Sequence, residues 1–522
     1  MANDITNPTD GTQRWPNRPT LAQEVKTNYS EALTHRVFSA VADIVGTSGQ
    51  PAFVIGGFVR DLLLGIPSQD IDIVVQGSGI ELAQAVADKF RGSKLSVFKS
   101  FGTAMVKMGP VEVEFVGARK ESYRANSRKP IVEDGTIEDD QRRRDFTINA
   151  LALSLNPDSF GNLVDPFGGL SDLKEGIIRT PLDPDITFSD DPLRMLRGIR
   201  FASRLHFVIA DETLAGMKRM AQRIGIVSME RICEELMKSM ETSECPSVTW
   251  KLMDKVGLLP LVLPELSALK GVERRGKFAH KDVFFHTMQV LDAVAYESNN
   301  VWLRWAALFH DIGKPRTKHF DEKVGWTFRN HNYVGAKMLP KIFNRLKLPL
   351  DDRLKFVQKM VDLHMRPIVL SEDIVTDSAV RRLLFEAGDD VEALMTLCEA
   401  DITSRNEEKV QRFLRNFKIV RRKMREIEEK DHIRNFQPPI SGEEIMATFN
   451  LSPCREVGDI KNAIKDAILD GLIHNDYAEA HQLMLAKGAE LGLVPVEASV
   501  GSVASPNSTN AEPQTQNLEG KD

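Results

Sequence analysis

The chain has 522 residues, of which 42% are hydrophobic and 27% charged, with a net charge of −6 at pH 7. That length suits about two to four domains, and the balance is that of a globular protein rather than a disordered one. A uniformly basic nucleic-acid coat is excluded, so any polyanion must be held by local basic patches. No run of about 18 apolar residues is present, which excludes a membrane helix. The first residues, MANDITNPTDGTQRW, lack the basic and apolar regions of a signal peptide. Cys233, Cys245, Cys398 and Cys454 lie far apart without a CxxC pair. Reduced thiols and a cytoplasmic location are therefore expected.

In chain order, residues 1–30 read as a flexible arm. Short β-rich runs follow at Ala52–Ile55, Ile71–Val75, Leu95–Phe98, Ala104–Met108, Val111–Val116 and Ile148–Leu155. Helical patterns at Val59–Leu64 and Ile80–Phe90 lie between them, so a small α/β domain is expected. From about residue 186 the periodicity is helical. Proline and glycine breaks near 257–264 and 271–277 mark a boundary, and IRNFQPPIS (433–441) marks another. Arg405 to Lys430 reads as a helix with an apolar stripe (Val410, Phe413, Leu414, Phe417, Met424, Ile427) and a basic face suited to an RNA backbone. Residues 494–522 are poor in large apolar groups and are expected to be disordered.

Chemistry first shows at FVIGGFVRDLLLG (53–65), where a strand enters Gly56-Gly57 and then a helix. Glycines let backbone N–H groups approach a ligand, and a helix N-terminus favours phosphate. In DIDIVV (70–75), Asp70 and Asp72 are two apart on a strand and share a face. Paired like charges repel unless a cation lies between them, and carboxylates with substrate phosphates suit Mg²⁺. A two-metal clamp needs a third acid. VEVEFV (111–116) offers Glu112 and Glu114, of which Glu114 is preferred.

These residues resemble the signature of the class II nucleotidyltransferases, the CCA-adding tRNA nucleotidyltransferases and bacterial poly(A) polymerases. RRRDFTINA (142–150), DPFGGLSD (165–172), DDPLRMLRGIRF (190–201) and MERI (229–232) are similar to later family motifs, in the same order. The resemblance covers roughly residues 35–260. Asp190 stands where the family usually has Glu. The resemblance implies an α+β fold: a mixed-sheet nucleotidyltransferase head over 31–180, then a mostly helical body. It implies nucleotidyl transfer from CTP and ATP to the 3′ hydroxyl of tRNA, with Asp70, Asp72 and Glu114 holding Mg²⁺. Gly56, Gly57 and Arg60 would hold the triphosphate, and Arg144 and Asp145 would serve triphosphate and ribose. Asp191 and Arg194, placed at i and i+3 on a helix, would read the base, with Arg197 and Arg200 continuing that face. A nucleotide-selecting, RNA-binding neck is expected over 181–270.

A second pattern, His286, FHDIGKP (309–315), His331, His364 and CEAD (398–401), resembles the HD domain of metal-dependent phosphohydrolases. The matching ligands are His286, His310, Asp311 and Asp401, and His331 and His364 would complete a second position. Imidazoles with carboxylates suit Mn, Ni, Co, Fe or Zn, although Mg²⁺ is also admitted. This domain is expected over 271–435, with a C-terminal helical segment over 436–493. Two alternatives stand beside CCA addition. One is a poly(A) polymerase or a CC- or A-adding enzyme. The other is an HD phosphohydrolase whose N-terminal half is an RNA-binding module, against which Asp70, Asp72 and Glu114 argue, since mere binding needs no metal-holding acids.

Overall fold

The computed structural model describes residues 18–22, 26–99, 102–122, 131–276, 278–280, 282–372, 376–402, 407–431, 433–434 and 436–496. Most of the expected N-terminal arm and of the expected C-terminal tail lies outside the described residues. The chain divides into two compact units, Met1–Asp373 with Asp389–Val420, and Ile374–Gly388 with Arg421–Asp522.

The first unit opens with helix α1 (Arg36–Ser48), strand β1 (Ala52–Ile55), α2 (Gly57–Leu64), β2 (Asp70–Val75), α3 (Gly79–Lys89), β3 (Lys94–Phe98), β4 (Thr103–Met108) and β5 (Val111–Gly117). A ribbon of β6 (Arg119–Ser122) and β7 (Ile131–Asp134) follows, then α4 (Ile137–Arg142), β8 (Ala152–Ser154) and β9 (Leu163–Val164). Seven strands form one sheet in the order β3-β4-β5-β2-β1-β8-β9. Every pairing in it is antiparallel except β2 with β5. The alternation in β2 explains its two faces: Ile71 and Ile73 are buried while Asp70 is exposed and Asp72 half-buried. Phe53, Ile55, Val74, Ala118 and Ala152 form one of the sheet's buried clusters.

The expected strand Ile148–Leu155 is shorter than its pattern. Residues Thr147–Asn149 form a single helical turn, and only Ala152–Ser154 pair as a strand. Thr147 Oγ1 donates to Asp172 at 2.7 Å and Asn149 Nδ2 to Asp145 at 3.0 Å. Such side-chain bonds favour a turn over a ladder.

Helices then dominate: α5 (Gly169–Glu175), α6 (Pro184–Asp190), α7 (Leu193–Leu205), α8 (Asp211–Met220), α9 (Met229–Thr242), α10 (Ser247–Lys255), α11 (Leu259–Val262), α12 (Pro264–Ser267), α13 (Val283–Glu297), α14 (Val301–Phe309), α15 (Lys314–Thr317), α16 (His331–Leu346), α17 (Asp352–Leu363) and α18 (Met365–Glu372). Buried Arg304 on α14 fastens two of them. It donates to the carbonyls of Met240 (2.6 Å) and Ser243 at the end of α9, and of Ala295 and Ser298 at the end of α13. One guanidinium thereby satisfies carbonyls that two helix ends leave open.

Helix α19 (Asp377–Ala387) belongs to the second unit, and α20 (Val391–Asp401) to the first. Arg381 pairs with Asp431 at 2.8 Å, Arg382 with Asp466 and Asp470 at 3.0 Å, and Phe385 packs on Phe436. These contacts lie within the second unit. The basic helix expected over 405–430 is α21 (Glu407–Asp431); Arg405 lies outside the described residues. Of the expected stripe, Phe413, Phe417, Met424 and Ile427 are buried and Val410 and Leu414 half-buried, and Val420 joins the buried set at helical spacing. Among the described residues, no helix is long and apolar enough to cross a membrane.

Candidate active sites

The first site grows from the parallel pairing of β2 and β5. In register, Asp70 faces Glu112 and Asp72 faces Glu114, so four carboxylates share one sheet face. Lys107 engages Glu112 at 2.5 Å. Glu114 stands beside Asp72. Burial raises the pKa of both Asp72 and Glu114, and neighbouring charge adds to it: Asp70 acts on Asp72, and Asp72 acts on Glu114. Carboxylates crowded in this way favour a cation between them.

On the other flank, Ile55 of β1 lies opposite Asp72, and the chain turns at Gly56 with φ of +85°. A Cβ there would meet Arg144 Nη1 at 2.7 Å and Asp72 Oδ2 at 3.3 Å. Only glycine gives both the left-handed backbone and the space where a guanidinium and a carboxylate approach. Gly57 then starts α2. Arg60 is buried, paired with Asp61 at 2.7 Å and donating to Asn149 at 2.6 Å. A cleft of about 870 Å³ joins Gly57, Arg60, Asp70, Asp72, Glu114 and Arg144 to Arg200 and Lys238.

A second cleft of about 420 Å³ shares Arg144, Asp145, Arg197 and Lys238 with it and extends to Asp191, Arg194 and Arg231. Asp145 is the hinge of the two. Its burial opposes ionisation, but Arg197 at 2.7 Å and the Asn149 amide hold its pKa down at about 2. Arg200 is buried against Glu235 at 2.6 Å, and the Arg60, Arg197 and Arg200 guanidinia all lie over the Phe201 ring.

The expected placement of Asp191 on a helix face is corrected. Asp191 is extended (φ −140°, ψ 102°) and precedes α7, accepting a hydrogen bond from Leu193 N at 3.2 Å. Pro192 disfavours a helical conformation in the residue before it. Arg194 does lie on α7, but it donates to the Arg143 carbonyl at 2.6 Å. The partner of Asp191 is Arg231, at 2.8 Å. Arg231 was legible as part of MERI yet carries no assigned role there. Its spacing from Glu234, Glu235 and Lys238 on α9 is the helical repeat that points this face at the cleft.

The second site is closed and imidazole-rich. His286, His310 and Asp401 form one set, and Asp311, His331 and His364 another, with the ligand atoms of each within 4.8 Å of one another. These are the only such sets among the described residues, so no three of the head carboxylates meet that spacing. Asp311 joins the sets: Oδ2 lies 3.3 Å from His310 Nε2, and Oδ1 lies 3.3 Å from His331 Nε2. His286 Nε2 is 2.8 Å from Asp401. The Nδ1 atoms of His310, His331 and His364 lie 2.7–2.8 Å from the carbonyls of Ala307, Phe328 and Val361. A carbonyl only accepts, so each Nδ1 carries the proton and each Nε2 is turned to the centre. His310 Nε2 is buried without a hydrogen-bond partner. The donor set therefore fits divalent metal.

Burial lowers His364 to about 4, keeping it a neutral ligand. Burial also opposes charge on His310, yet the Asp311 carboxylate lifts it to about 10, so a metal taking His310 Nε2 would displace a proton there. Gly313 of the HDIG turn permits the close approach of α16, since a Cβ would lie 2.1 Å from the His331 carbonyl. Lys314 binds Asp311 at 2.6 Å.

Comparison with known proteins now places the chain. Residues 52–179 match the Poly A polymerase head domain family, 206–270 the probable RNA and SrmB-binding site of polymerase A, and 283–406 the HD domain family. An A-adding tRNA nucleotidyltransferase of Deinococcus radiodurans is 32% identical over 427 residues, covering 80% of this chain and 91% of the relative. A multifunctional CCA protein of Ralstonia nicotianae is 35% identical over 319 residues, covering 59% of this chain and 70% of the relative. Among solved structures, an apo CCA-adding enzyme aligns with a TM-score of 0.60 at 25% identity, over 88% of this chain and 98% of the other. The Thermotoga maritima CCA-adding enzyme complexed with tRNA aligns with a TM-score of 0.57 at 23% identity, over 88% and 98%.

A mixed-sheet head followed by a helical body with an HD domain is the architecture of a nucleotidyltransferase. The chain belongs to the tRNA nucleotidyltransferase/poly(A) polymerase family. Its nucleotidyltransferase and HD families are divalent-metal dependent.

Proposed function

We propose that this protein adds CMP and AMP, without a nucleic-acid template, to the 3′ end of tRNA from CTP and ATP. The observation that carries the reading is the register that sets Asp70 and Asp72 beside Glu114, at the Gly56 corner, on an arginine-lined cleft. A relative named as a multifunctional CCA protein supports it. The acids would hold Mg²⁺, which when bound lowers the charge barrier to attack on phosphorus. Gly56, Gly57 and Arg144 would seat the triphosphate, with Arg60 bracing the corner. Asp145 and Arg197 would fix the wall between the triphosphate and the base.

Base choice follows from donor and acceptor chemistry. Cytosine and adenine each present an exocyclic amine beside a ring-nitrogen acceptor. The Asp191 carboxylate accepts from the amine, and the Arg194 guanidinium donates to the ring nitrogen. Guanine and uracil present a carbonyl and a ring N–H, which leave both groups unpaired. Arg231 holds the Asp191 carboxylate in the cleft wall.

Addition of A alone is a second reading, favoured by the A-adding relative that this chain matches over 91% of its length. Sequencing the 3′ ends of tRNAs truncated by one, two or three residues, after incubation with CTP, ATP or both, separates the readings. CCA on the fully truncated tRNA is the expected result. Extension only of tRNA already ending in CC would establish the second reading, and no extension of any substrate would reject both.

The HD centre, we further propose, binds a transition metal, such as Mn, Ni, Co, Fe or Zn, through its Nε2 atoms and carboxylates and hydrolyses phosphoesters. Its imidazole content favours these ions over Mg²⁺. The protein is expected to act in the cytoplasm, where tRNA and nucleotides meet.

A further inference from the structure

The sheet face that carries the head acids continues past the cleft. Asp72 of β2 faces Glu114 of β5, Glu114 faces Met105 of β4, and Met105 faces Ser96 of β3. Residues paired in register share a face, so Ser96 stands on the side of the sheet that bears the acids. Lys94 and Phe98, two residues to either side of it, stand there too. Met105 lines the large cleft, and β3 is the next strand outward and the last of the sheet on that side. Neighbouring strands lie about 4.8 Å apart, which sets β3 about 10 Å from the Glu114 strand and about 14 Å from the Asp72 strand.

This edge shows solvent a cation, a hydroxyl and a ring. Lys94, Ser96 and Phe98 are all exposed, Phe98 to 45%. One exposed ring is ordinary on a protein surface. Two features set this one apart. It shares the face of the acids, and it lies in a basic segment. RGSKLSVFK (91–99) holds three cations and no carboxylate, although the chain as a whole has a net charge of −6. A second copy pairing along the free edge would bring like charges together, and edge lysines oppose such pairing. The same charges favour a polyanion.

We propose that the β3 face seats the unpaired 3′ segment of the RNA primer, just upstream of the hydroxyl that the head acids serve. Phe98 offers its ring to one base, and Lys94, about 13 Å away along the strand, takes a backbone phosphate. A ring stacks on any base, which suits an acceptor whose last nucleotide changes with each addition. The inference rests on the nucleotide-adding reading given above and names where that reaction grips its acceptor.

The test uses the full-length protein with Mg²⁺, ATP and tRNA ending in CC, a substrate that either reading of the addition extends. Phe98→Leu should raise KM for tRNA about tenfold, the size expected from one lost stacked base, while kcat and KM for ATP hold. Phe98→Trp, which keeps a ring, should return KM for tRNA to within twofold of the parent. Lys94→Gln should raise KM for tRNA and flatten its log–log dependence on salt by about 0.7, the slope of one single-strand phosphate contact. Unchanged melting temperatures establish that the variants fold. A KM for tRNA within twofold of the parent in Phe98→Leu, with an unchanged salt slope in Lys94→Gln, overturns the seat and leaves nucleotide addition standing. A parent dimer that Phe98→Leu dissociates while KM for tRNA holds also overturns it, since the edge is then a contact between copies. A parent that extends no tRNA overturns the nucleotide-adding reading and this seat with it.

Discussion

The two metal-suited regions of the first unit solve opposite problems. In the head, carboxylates stand on neighbouring strands at the mouth of an open cleft, and burial with mutual repulsion raises Asp72 and Glu114. In the helical region, His310, Asp311 and His364 are fully buried, and the Nδ1 protons of His310, His331 and His364 are tied to backbone carbonyls. The head offers hard oxygen donors beside space for a triphosphate, so its cations can arrive and leave with substrate. The HD centre turns Nε2 atoms and carboxylates inward in two tight sets, which suits a resident ion. Openness thus separates a site built around nucleotide exchange from one built around a held metal.

The largest effects should come from separating the sites outright. Asp72→Ala should lower nucleotide addition by about 10³-fold or more, the scale of removing a group that stabilises transition-state charge. It should leave any phosphoester hydrolysis at the HD centre unaltered. Asp311→Ala should do the reverse, and equal loss of both activities in either variant would break the comparison. Metal analysis sharpens it: brief chelation should strip added Mg²⁺ and stop nucleotide addition while the HD metal stays bound. Co-elution of both metals under mild chelation would contradict the contrast.

Smaller effects follow at the corner and the wall. Gly56→Ala must adopt φ of +85° and displace Arg144. A stability loss of about 1–3 kcal/mol is expected, the range for a residue forced into that backbone region. Calorimetry would read it. Asp145→Asn removes a carboxylate held at about 2, below its ordinary 3.8. A depressed carboxyl contributes stability that is complete above its unfolded pKa and is lost as pH falls through its folded pKa. The variant should therefore be about 2 kcal/mol less stable at pH 7, with the gap shrinking from about pH 4 down toward pH 2. A gap constant across that window would show that the ion pair with Arg197 is not its source. Asp191→Ala should relax the preference for CTP and ATP over GTP and UTP about tenfold, the discrimination of roughly one buried hydrogen bond. Competition assays with mixed triphosphates measure it.

Much of this was legible in the residues themselves. Period-two alternation in DIDIVV put both aspartates on one face, and the glycine pair marked the turn beside them. The HDIGK run announced an imidazole–carboxylate centre. What pattern missed is local. Asp191 left its helix because a proline follows it, and its partner is Arg231 from a helix 40 residues on.

By itself the sequence determined the chemical types present and the face on which each repeat displays them, because strand and helix periods are short-range properties of the backbone. Only the tertiary structure decided that β2 and β5 run parallel with Asp72 opposite Glu114, and that Asp311 bridges two histidine sets. Those are pairings across long stretches of chain. They are settled by which buried surfaces fit together, and no local period encodes that.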